Sequence, residues 1–166
     1  MPELFNKLWN NHPNISGYMD GKPCSRGGVP QYANQCAIRM GHALQASGFE
    51  VTSLNVRLCW HHPKRSFHSL AAEELAKAIN KASITGIGKV RKLKSNNITT
   101  PIKGKKGITF FKDFWKRSGE SFRNRTGDHI DLWNGHKLTG SYFFTFWSNY
   151  FHTYDDSKEI WFWPVR

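Results

Sequence analysis

The sequence predicts a single α+β domain, with helices in the first half of the chain and short strands in the second. Its 166 residues are enough for one compact domain with a core, and the hydrophobic fraction of 39% is ordinary for a globular protein. Helical periodicity dominates the first 82 residues, whereas strand-like runs and a hairpin signal follow residue 107. Helices followed by a run of strands are typical of the α+β class. We therefore expect residues 1–166 to form one domain.

The N-terminal segment favours a short helix followed by a long loop. The predicted helix spans residues 2–10, with Pro2 at the first helical position, where its missing N–H is not needed. Residues 11–33 are rich in glycine and proline among polar residues, which indicates a loop. The side chains of the helix that we expect to face the core are Phe5, Leu8 and Trp9.

A second helix is predicted to carry a cysteine in its first turn. Asn34 is a suitable N-cap, which puts Cys36 at the second helical position, and Gly48 is a suitable stop. The positive end of the helix dipole lowers the pKa of a thiol there and favours the nucleophilic thiolate. The alternative is that Cys36 is a small buried core residue. The inward stripe of this helix is Ala37, Met40, Gly41 and Leu44.

Two elements are predicted in the middle of the chain. Residues 49–58 alternate weakly between apolar and polar types, which favours a strand. Residues 69–82 form the clearest amphipathic helix of the sequence. Its apolar stripe is Ala71, Leu75, Ala78, Ile79 and Ala82.

Three strands are predicted in the second half of the chain. The apolar run at residues 107–111 suits a buried strand, and residues 129–133 form a second one. The Asn134-Gly135 pair that follows is a strong signal for a two-residue hairpin turn. Residues 160–164 are expected to form a last strand that ends at a proline.

The net charge of +12 indicates an anionic partner, such as nucleic acid, the bacterial wall or an acidic protein. The lysine-rich residues 89–106 are expected to form a solvated loop, with a nucleic-acid-binding arm as the alternative. Because no groove-reading or base-stacking motif accompanies them, we expect no nucleic-acid partner. No apolar run approaches the ~18 residues that a membrane span needs. The first residues lack a signal peptide, so synthesis in a cytoplasm is expected.

The predicted strand at residues 129–133 has two chemically different faces. His129, Asp131 and Trp133 share one face, which is polar and carries a titratable base. Ile130 and Leu132 share the other face, which suits the core. A papain-like cysteine peptidase needs this division, because its imidazole is presented from a sheet that packs against the nucleophile helix.

Cys36 and His129 fit the two main roles of such a site. A cysteine followed by a histidine about ninety residues later matches the chain order of papain-like peptidases. In that chemistry the histidine takes the thiol proton, the thiolate attacks an amide carbon and an acyl-enzyme forms. The imidazolium then protonates the leaving amine, and water hydrolyses the thioester. Amide groups at the start of the helix are the expected oxyanion donors, and no metal or other cofactor is required.

The residue that orients His129 is less well defined by the sequence. A two-residue turn at Asn134-Gly135 would place Gly140, which has no side chain, opposite residue 129 on the next strand. An orienting group must then come from elsewhere. We favour Asp131, two residues along the same face, and Asn134 at the turn is a further supporting candidate.

The remaining cysteines and histidines leave two alternatives open. Cys24 and Cys59 either form a disulfide, which would leave Cys36 as the reactive thiol, or stay free. The run Cys59-Trp60-His61-His62, with His68 nearby, resembles a metal cluster. However, it lacks the paired knuckles of structural zinc sites, and adjacent histidines point apart on a strand. We therefore favour a polar surface loop and expect no metal.

Three motifs resemble the type VI secretion amidase effectors of the fourth group, which are papain-like, NlpC-related enzymes that one bacterium injects into another. They are Asn-Gln-Cys-Ala-Ile-Arg-Met at residues 34–40, Lys-Lys-Gly-Ile at 105–108 and His-Ile-Asp-Leu-Trp-Asn-Gly at 129–135. The resemblance runs from the first helix to the C-terminal Trp-Phe-Trp-Pro, so it covers nearly the whole chain. Cys36 and His129 match the nucleophile and base of that family.

The resemblance implies an antibacterial activity, namely hydrolysis of the peptidoglycan peptide stem between γ-D-glutamate and meso-diaminopimelate. It also implies delivery by a type VI apparatus, action in the periplasm of the target cell and a cognate immunity protein that plugs the groove. The sequence departs from the family at Gly140, where some members carry an aspartate. The site would then be a Cys36–His129 dyad, or Asp131 would replace the missing aspartate.

Overall fold

The computed structural model describes residues 3–94, 99–140 and 157–166, and within them it has the mixed α+β arrangement that the sequence predicts. The helices are α1 (Leu4–Asn11), α2 (Pro13–Ser16), α3 (Cys36–Ala46), α4 (Ala72–Lys81) and α5 (Thr99–Ile102), with 3-10 turns at Tyr18–Gly21 and Lys64–Ser66. The strands are β1 (Ser25–Arg26), β2 (Val29–Pro30), β3 (Arg91–Leu93), β4 (Gly107–Trp115), β5 (Gly127–Trp133) and β6 (Glu159–Pro164). No described helix is long and apolar enough to span a membrane.

A four-stranded antiparallel sheet positions the functional residues. Its strand order is β3-β6-β4-β5, and β1 and β2 form a separate small ribbon. Within the sheet, His129 of β5 lies opposite Phe111 of β4, and Ile130 lies opposite Phe110. β5 is the outer strand in the described part of the sheet, so its free edge is open to contact from a helix.

Both faces of the sheet are buried, although the sequence predicted a polar face for β5. The face that carries Ile130 and Leu132 packs with α1, α3 and α4 in the main core, as predicted. The opposite face of β5 carries His129 and Asp131, whose exposed fractions are only 4% and 2%. Trp133 on that face joins a second apolar cluster with Ile102, Phe111, Phe114, Leu138, Ile160 and Phe162.

The N-terminal helix follows its predicted pattern. Phe5 and Leu8 of α1 are buried, and Trp9 packs partly buried against the same core. The predicted role of Pro2 lies outside the described residues. The two chain ends meet here, because the Phe5 amide donates a hydrogen bond to the Arg166 carbonyl.

The Cys36 helix begins one residue later than predicted. Gln35 is the N-cap of α3, so Cys36 is the first helical residue and not the second. Asn34 still satisfies a free helix amide, because its side-chain oxygen accepts a hydrogen bond from the Cys36 amide at 3.1 Å. Gly48 ends the helix with a left-handed φ of 81°, as expected. The predicted inward stripe of Ala37, Met40, Gly41 and Leu44 is buried.

The middle of the chain differs from prediction in two places. Residues 49–58 contain no strand; only Leu58 pairs, in an isolated bridge with Ser69. Weak alternation does not hold a strand without a partner along its length, and these residues instead cover the main core as irregular chain. Helix α4 begins at Ala72, three residues after the predicted start, because residues 68–70 are used in that local pairing.

The last part of the chain also holds two differences. Trp133 pairs with Leu138 and not with His136, so the turn has four residues and the predicted register is wrong. The cause is the Asn134 side chain, whose oxygen accepts hydrogen bonds from the His136 and Lys137 amides and so closes a longer turn. Within the basic segment, residues 91–93 form β3 along β6 and residues 99–102 form α5, so these parts are not a loop, and residues 95–98 lie outside the described residues.

Candidate active site

Cys36 lies against the free edge of β5. Its Sγ is 3.9 Å from the Asp128 carbonyl oxygen, and it also forms hydrogen bonds with the Ile130 backbone and the His129 side chain. These contacts arise because Cys36 opens α3, and α3 packs closely on β5. The residues that the sequence separates by about ninety positions are therefore brought into direct contact.

His129 is held between Cys36 and a carboxylate. Its Nε2 lies 3.5 Å from Asp131 Oδ2, and its ring also forms a hydrogen bond with Cys36. The rings of Phe111 and Phe114 flank the imidazole at centroid distances of 6.1 and 6.4 Å. The imidazole therefore has a carboxylate and a thiol as polar partners and aromatic rings beside it.

Asp131 is itself fixed by several donors. The Leu132 amide donates to Oδ1 at 2.7 Å, the Gly140 amide donates to Oδ2 at 3.3 Å, and the Thr139 hydroxyl donates to Oδ1. Gly140 thus contributes its backbone amide to the hydrogen bonding of Asp131. The predicted hairpin register had placed Gly140 opposite residue 129, two residues away along β5. The carboxylate that faces His129 comes from the same strand.

The structure adds His12 to the site, a residue to which the sequence assigned no role. His12 Nε2 lies 3.8 Å from Asp131 Oδ1 on the side away from His129. Its Nδ1 accepts a hydrogen bond from the Asn14 amide, so Nε2 carries the proton of the neutral ring. Burial lowers the pKa of His12 to about 4, despite the opposing charge of Asp131. The only sequence signal was a histidine before Pro13 at the start of a short helix, and this does not predict a contact with residue 131.

Electrostatics favour an ion pair between Cys36 and His129. Burial opposes ionisation of both groups, but their mutual hydrogen bond and charges outweigh it. The pKa of the Cys36 thiol is therefore held below its usual value, while the contacts with Asp131 and Cys36 raise the pKa of His129 to about 9. Burial also disfavours the charge on Asp131, yet its hydrogen bond with His129 and the positive charge of that ring keep the pKa of Asp131 below its usual value.

The start of α3 adds to the positive field around the thiol. Arg39, one turn further along the helix, favours ionisation of Cys36 through its charge, and its Nε donates to the Gly21 carbonyl at 2.5 Å. Gln35 fixes the entry to the helix, because its side chain accepts from the Cys24 amide and donates to the Cys24 carbonyl. The helix N-terminus is thus anchored to the preceding loop on both sides of Cys36.

Asn134, the other predicted supporting residue, is placed differently. It follows the end of β5, and its side-chain oxygen is engaged in its own turn with the His136 and Lys137 amides. Among the described contacts, none joins Asn134 to His129 or Cys36. Its position therefore suits turn formation, and Asp131 is the candidate that the structure brings to the imidazole.

The other two cysteines are free thiols, so the disulfide alternative does not describe this structure. Cys24 and Cys59 are both buried, and their Sγ atoms lie 2.8 Å apart without a bond. The predicted polar surface loop is also wrong for Cys59 and His68, which are only 3% and 4% exposed. Trp60 between them is exposed at 78%, and residues 63–65 of the same loop are exposed as well.

Comparison with known proteins identifies a family. The family model of the type VI secretion system amidase effector protein 4, Tae4, matches residues 32–163. No curated protein sequence matches the chain. Residues 32–163, which the family model matches, include Cys36, His129 and Asp131.

Solved structures share the fold. The structure of the type VI effector Tae4 from Enterobacter cloacae superposes with a TM-score of 0.57 at 17% identity, over 100% of this chain and 98% of that chain. The Tae4–Tai4 effector–immunity complex from Enterobacter cloacae gives a TM-score of 0.56 at 17% identity, over 100% of both chains. Since the family model covers most of the sequence and the fold agrees over its whole length, the chain belongs to the type VI secretion system amidase effector 4 family.

Proposed function

We propose that the chain is an antibacterial peptidoglycan amidase that acts by cysteine nucleophilic catalysis, with Cys36, His129 and Asp131 as its catalytic groups. Membership of the amidase effector family supports hydrolysis of an amide in the cell wall. The contact of a helix N-terminal thiol with an imidazole that is backed by a buried carboxylate supports the cysteine mechanism. This contact is the observation on which the proposal depends.

The proposed substrate bond joins γ-D-glutamate to meso-diaminopimelate in the peptide stem, which makes the enzyme a DL-endopeptidase. The assignment follows from the resemblance of the three sequence motifs to the effector group. The net charge of +12 suits a protein that works on an anionic wall, because it favours electrostatic association with the polymer.

The proposed reaction follows from the ion pair. The Cys36 thiolate attacks the amide carbon, and the carbonyl oxygen becomes an oxyanion near the first-turn amides of α3. The His129 imidazolium gives its proton to the leaving amine, which leaves an acyl thioester on Cys36. His129 then takes a proton from water, the hydroxide attacks the thioester, and Cys36 leaves as the thiolate. Asp131 stays ionised and holds the ring in the productive orientation.

The arrangement supports assignment to the papain-like, NlpC-related fold. In that fold a helix presents the cysteine and an adjacent antiparallel sheet presents the histidine, which is the relation of α3 to β5 here. We also propose that residues 1–166 act as one catalytic domain, since the two chain ends meet and the main core draws on α1 as well as β6.

We further propose that the protein is made in a cytoplasm, is delivered by the type VI apparatus and acts in the periplasm of the target bacterium. A cognate immunity protein would then protect the producing population. The Enterobacter cloacae relative was solved in an effector–immunity complex, which supports such a partner. Because this chain is strongly basic, we expect its immunity protein to present an acidic surface.

Digestion of purified meso-diaminopimelate-type peptidoglycan tests the proposal. Wild-type protein should release stem fragments whose new N-terminus is diaminopimelate, as identified by mass spectrometry. Cys36→Ala should release none. Release by both proteins would place the chemistry at another residue, and release by neither would contradict the amidase assignment.

A further inference from the structure

Four sulfur- and nitrogen-bearing side chains converge beside the N-terminal half of α3, away from the candidate active site. One ligand atom from each of Cys24, Cys59, His62 and His68 lies within 4.8 Å of all the others. Three of the four residues are buried, and His62 is partly buried. We propose that this cluster binds a zinc ion that braces the nucleophile helix.

The distances between the side chains suit a tetrahedral ion. His62 Nδ1 lies 3.6 Å from Cys24 Sγ and 3.5 Å from Cys59 Sγ. Bonds of about 2.3 Å to sulfur and 2.0–2.1 Å to nitrogen give a sulfur–nitrogen separation of about 3.5 Å at the tetrahedral angle. The two Sγ atoms, at 2.8 Å, would move apart by about 1 Å to reach the separation that the same geometry requires.

Backbone pairing holds the ligands in place. The Cys59 amide donates to the His68 carbonyl at 2.9 Å, and the flanking Leu58 and Ser69 form a bridge. Cys59 and His62 are three residues apart at the start of the enclosed loop, a spacing that lets one turn supply two ligands. The pairing of residues 58–59 with residues 68–69 places His68 beside Cys59, and the fourth ligand, Cys24, belongs to a separate segment of the chain.

The chemistry of the donors suits a dication. Two thiolates and two neutral imidazoles cancel the charge of Zn²⁺, so the buried site would be neutral overall. His68 Nδ1 is buried and has no hydrogen-bond partner among the described residues. Buried polar atoms normally have a partner, and a bound ion would provide one.

Zinc binding would take the place of the thiol protons of Cys24 and Cys59, as it does in other thiolate sites. A Cys24–Cys59 disulfide would use two of the four groups and would give no reason for two histidine rings to converge on them.

His61 provides a contrast within the same loop. Its ring is tilted against that of Trp60 at a centroid distance of 3.8 Å, while Nδ1 of the neighbouring His62 lies close to both sulfur atoms. The sequence prediction that adjacent histidines point apart assumed a strand, whereas His61 and His62 lie in a turn. No metal was expected because the chain lacks paired ligand knuckles, but in the structure the distant Cys24 completes a set of four possible ligands.

The position of the cluster suggests what the ion would do. The backbone of Cys24 forms two hydrogen bonds with the side chain of Gln35, the residue before Cys36. Ile38 of α3 packs with Cys24 and Cys59, so the cluster and the helix share a small apolar contact. A bound ion would fix the Cys24 segment and the 59–68 loop against the first turns of α3, and so hold the nucleophile in place.

Metal analysis of the purified protein tests this inference. We expect wild type to contain a stoichiometric amount of zinc by plasma mass spectrometry. Cys24→Ser and His68→Ala should lose it. Cys36→Ala, which removes the third thiol, and His61→Ala, which removes the adjacent histidine, are the matched controls and should retain it.

A second measurement does not depend on the folding of variants. Wild type treated with a chelator should unfold at a lower temperature, and added zinc chloride should restore the original value. Cobalt chloride added to the chelated protein should give the absorption bands of a tetrahedral cobalt–thiolate site. Zinc-free protein whose intact mass is two hydrogens lower would show a Cys24–Cys59 disulfide and overturn the proposal. Three titratable thiols with no bound metal and no cobalt bands would overturn it as well.

Discussion

At the scale of single residues, the contact between Asp131 and His129 carries the proposed orientation of the base. Asp131→Asn should lower kcat on the order of 10²-fold or more, because the amide does not stabilise the imidazolium and favours the wrong ring tautomer. KM should change little. Rates of stem cleavage measured by liquid chromatography give both constants.

The neighbouring carboxylate supplies the control for that variant. Asp128 accepts a hydrogen bond from the Asp113 amide at 2.9 Å and points away from the imidazole. Asp128→Asn should therefore keep kcat within a few-fold of wild type. If both variants lose activity equally, or if Asp131→Asn retains wild-type kcat, Asp131 does not position the base and the site is a dyad.

The raised pKa of His129 predicts the alkaline limit of activity. The ion pair requires protonated His129, so kcat/KM should fall as the pH rises through about 9. The same proton contributes stability that is fully present below the ordinary pKa of 6.5 and is lost as the pH rises through about 9.

A pH–rate profile between pH 5 and 10.5, with unfolding followed in parallel by circular dichroism, separates these two effects. Loss of activity near pH 9 in protein that remains folded is the expected result. An alkaline limb near pH 6.5 would mean that Asp131 and Cys36 do not raise the pKa of His129.

At the scale of elements, the close approach of α3 to the loop before α4 makes one glycine necessary. A Cβ on Gly41 would collide with the Phe67 carbonyl oxygen, which is backbone and not a flexible side chain. Gly41→Ala should therefore destabilise the protein by about 1–3 kcal/mol, although the same change in an exposed helix stabilises by about 0.5–1 kcal/mol.

Urea unfolding monitored by tryptophan fluorescence measures the change. Gly48→Ala is a useful comparison, because its Cβ would meet open space and only the left-handed φ of 81° would be strained. Gly41→Ala should be the more damaging of the two. A stabilised Gly41→Ala variant would show that α3 does not pack this closely on residue 67.

The elements also show how far sequence patterns reach. Strongly periodic segments were predicted well: α3, α4, β4, β5 and β6 all form, because a long apolar stripe has only one way to be buried. Two segments were predicted wrongly. Residues 49–58 have too weak an apolar alternation to pair as a strand, and the turn at Asn134 is decided by the hydrogen bonds of its side chain. A local sequence pattern does not show which of two possible backbone arrangements such contacts will favour.

At the scale of the whole molecule, the sequence predicted Cys36, His129 and Asp131 from residue type, spacing and strand alternation. It did not predict His12, which reaches Asp131 only through the packing of α1 and α2 beside α3. Nor did it predict the cluster of Cys24 with Cys59, His62 and His68, because that contact joins two loops with no shared pattern. Contacts that depend on tertiary packing alone produce no regular spacing of residue types, so the sequence pattern does not predict them.

The proposed catalysis depends on the fold creating a thiolate at Cys36. The most direct test is the rate of alkylation by iodoacetamide as a function of pH, with each labelled cysteine located by peptide mass spectrometry. In the folded protein, Cys36 should react faster than Cys24 or Cys59 at neutral pH, with a midpoint below the ordinary thiol pKa of 9.0. His129→Ala should move that midpoint up, and denaturation should abolish the difference among the three thiols. Equal rates at the three cysteines of the folded protein, or no effect of His129→Ala, would contradict the ion pair on which the proposed catalysis rests.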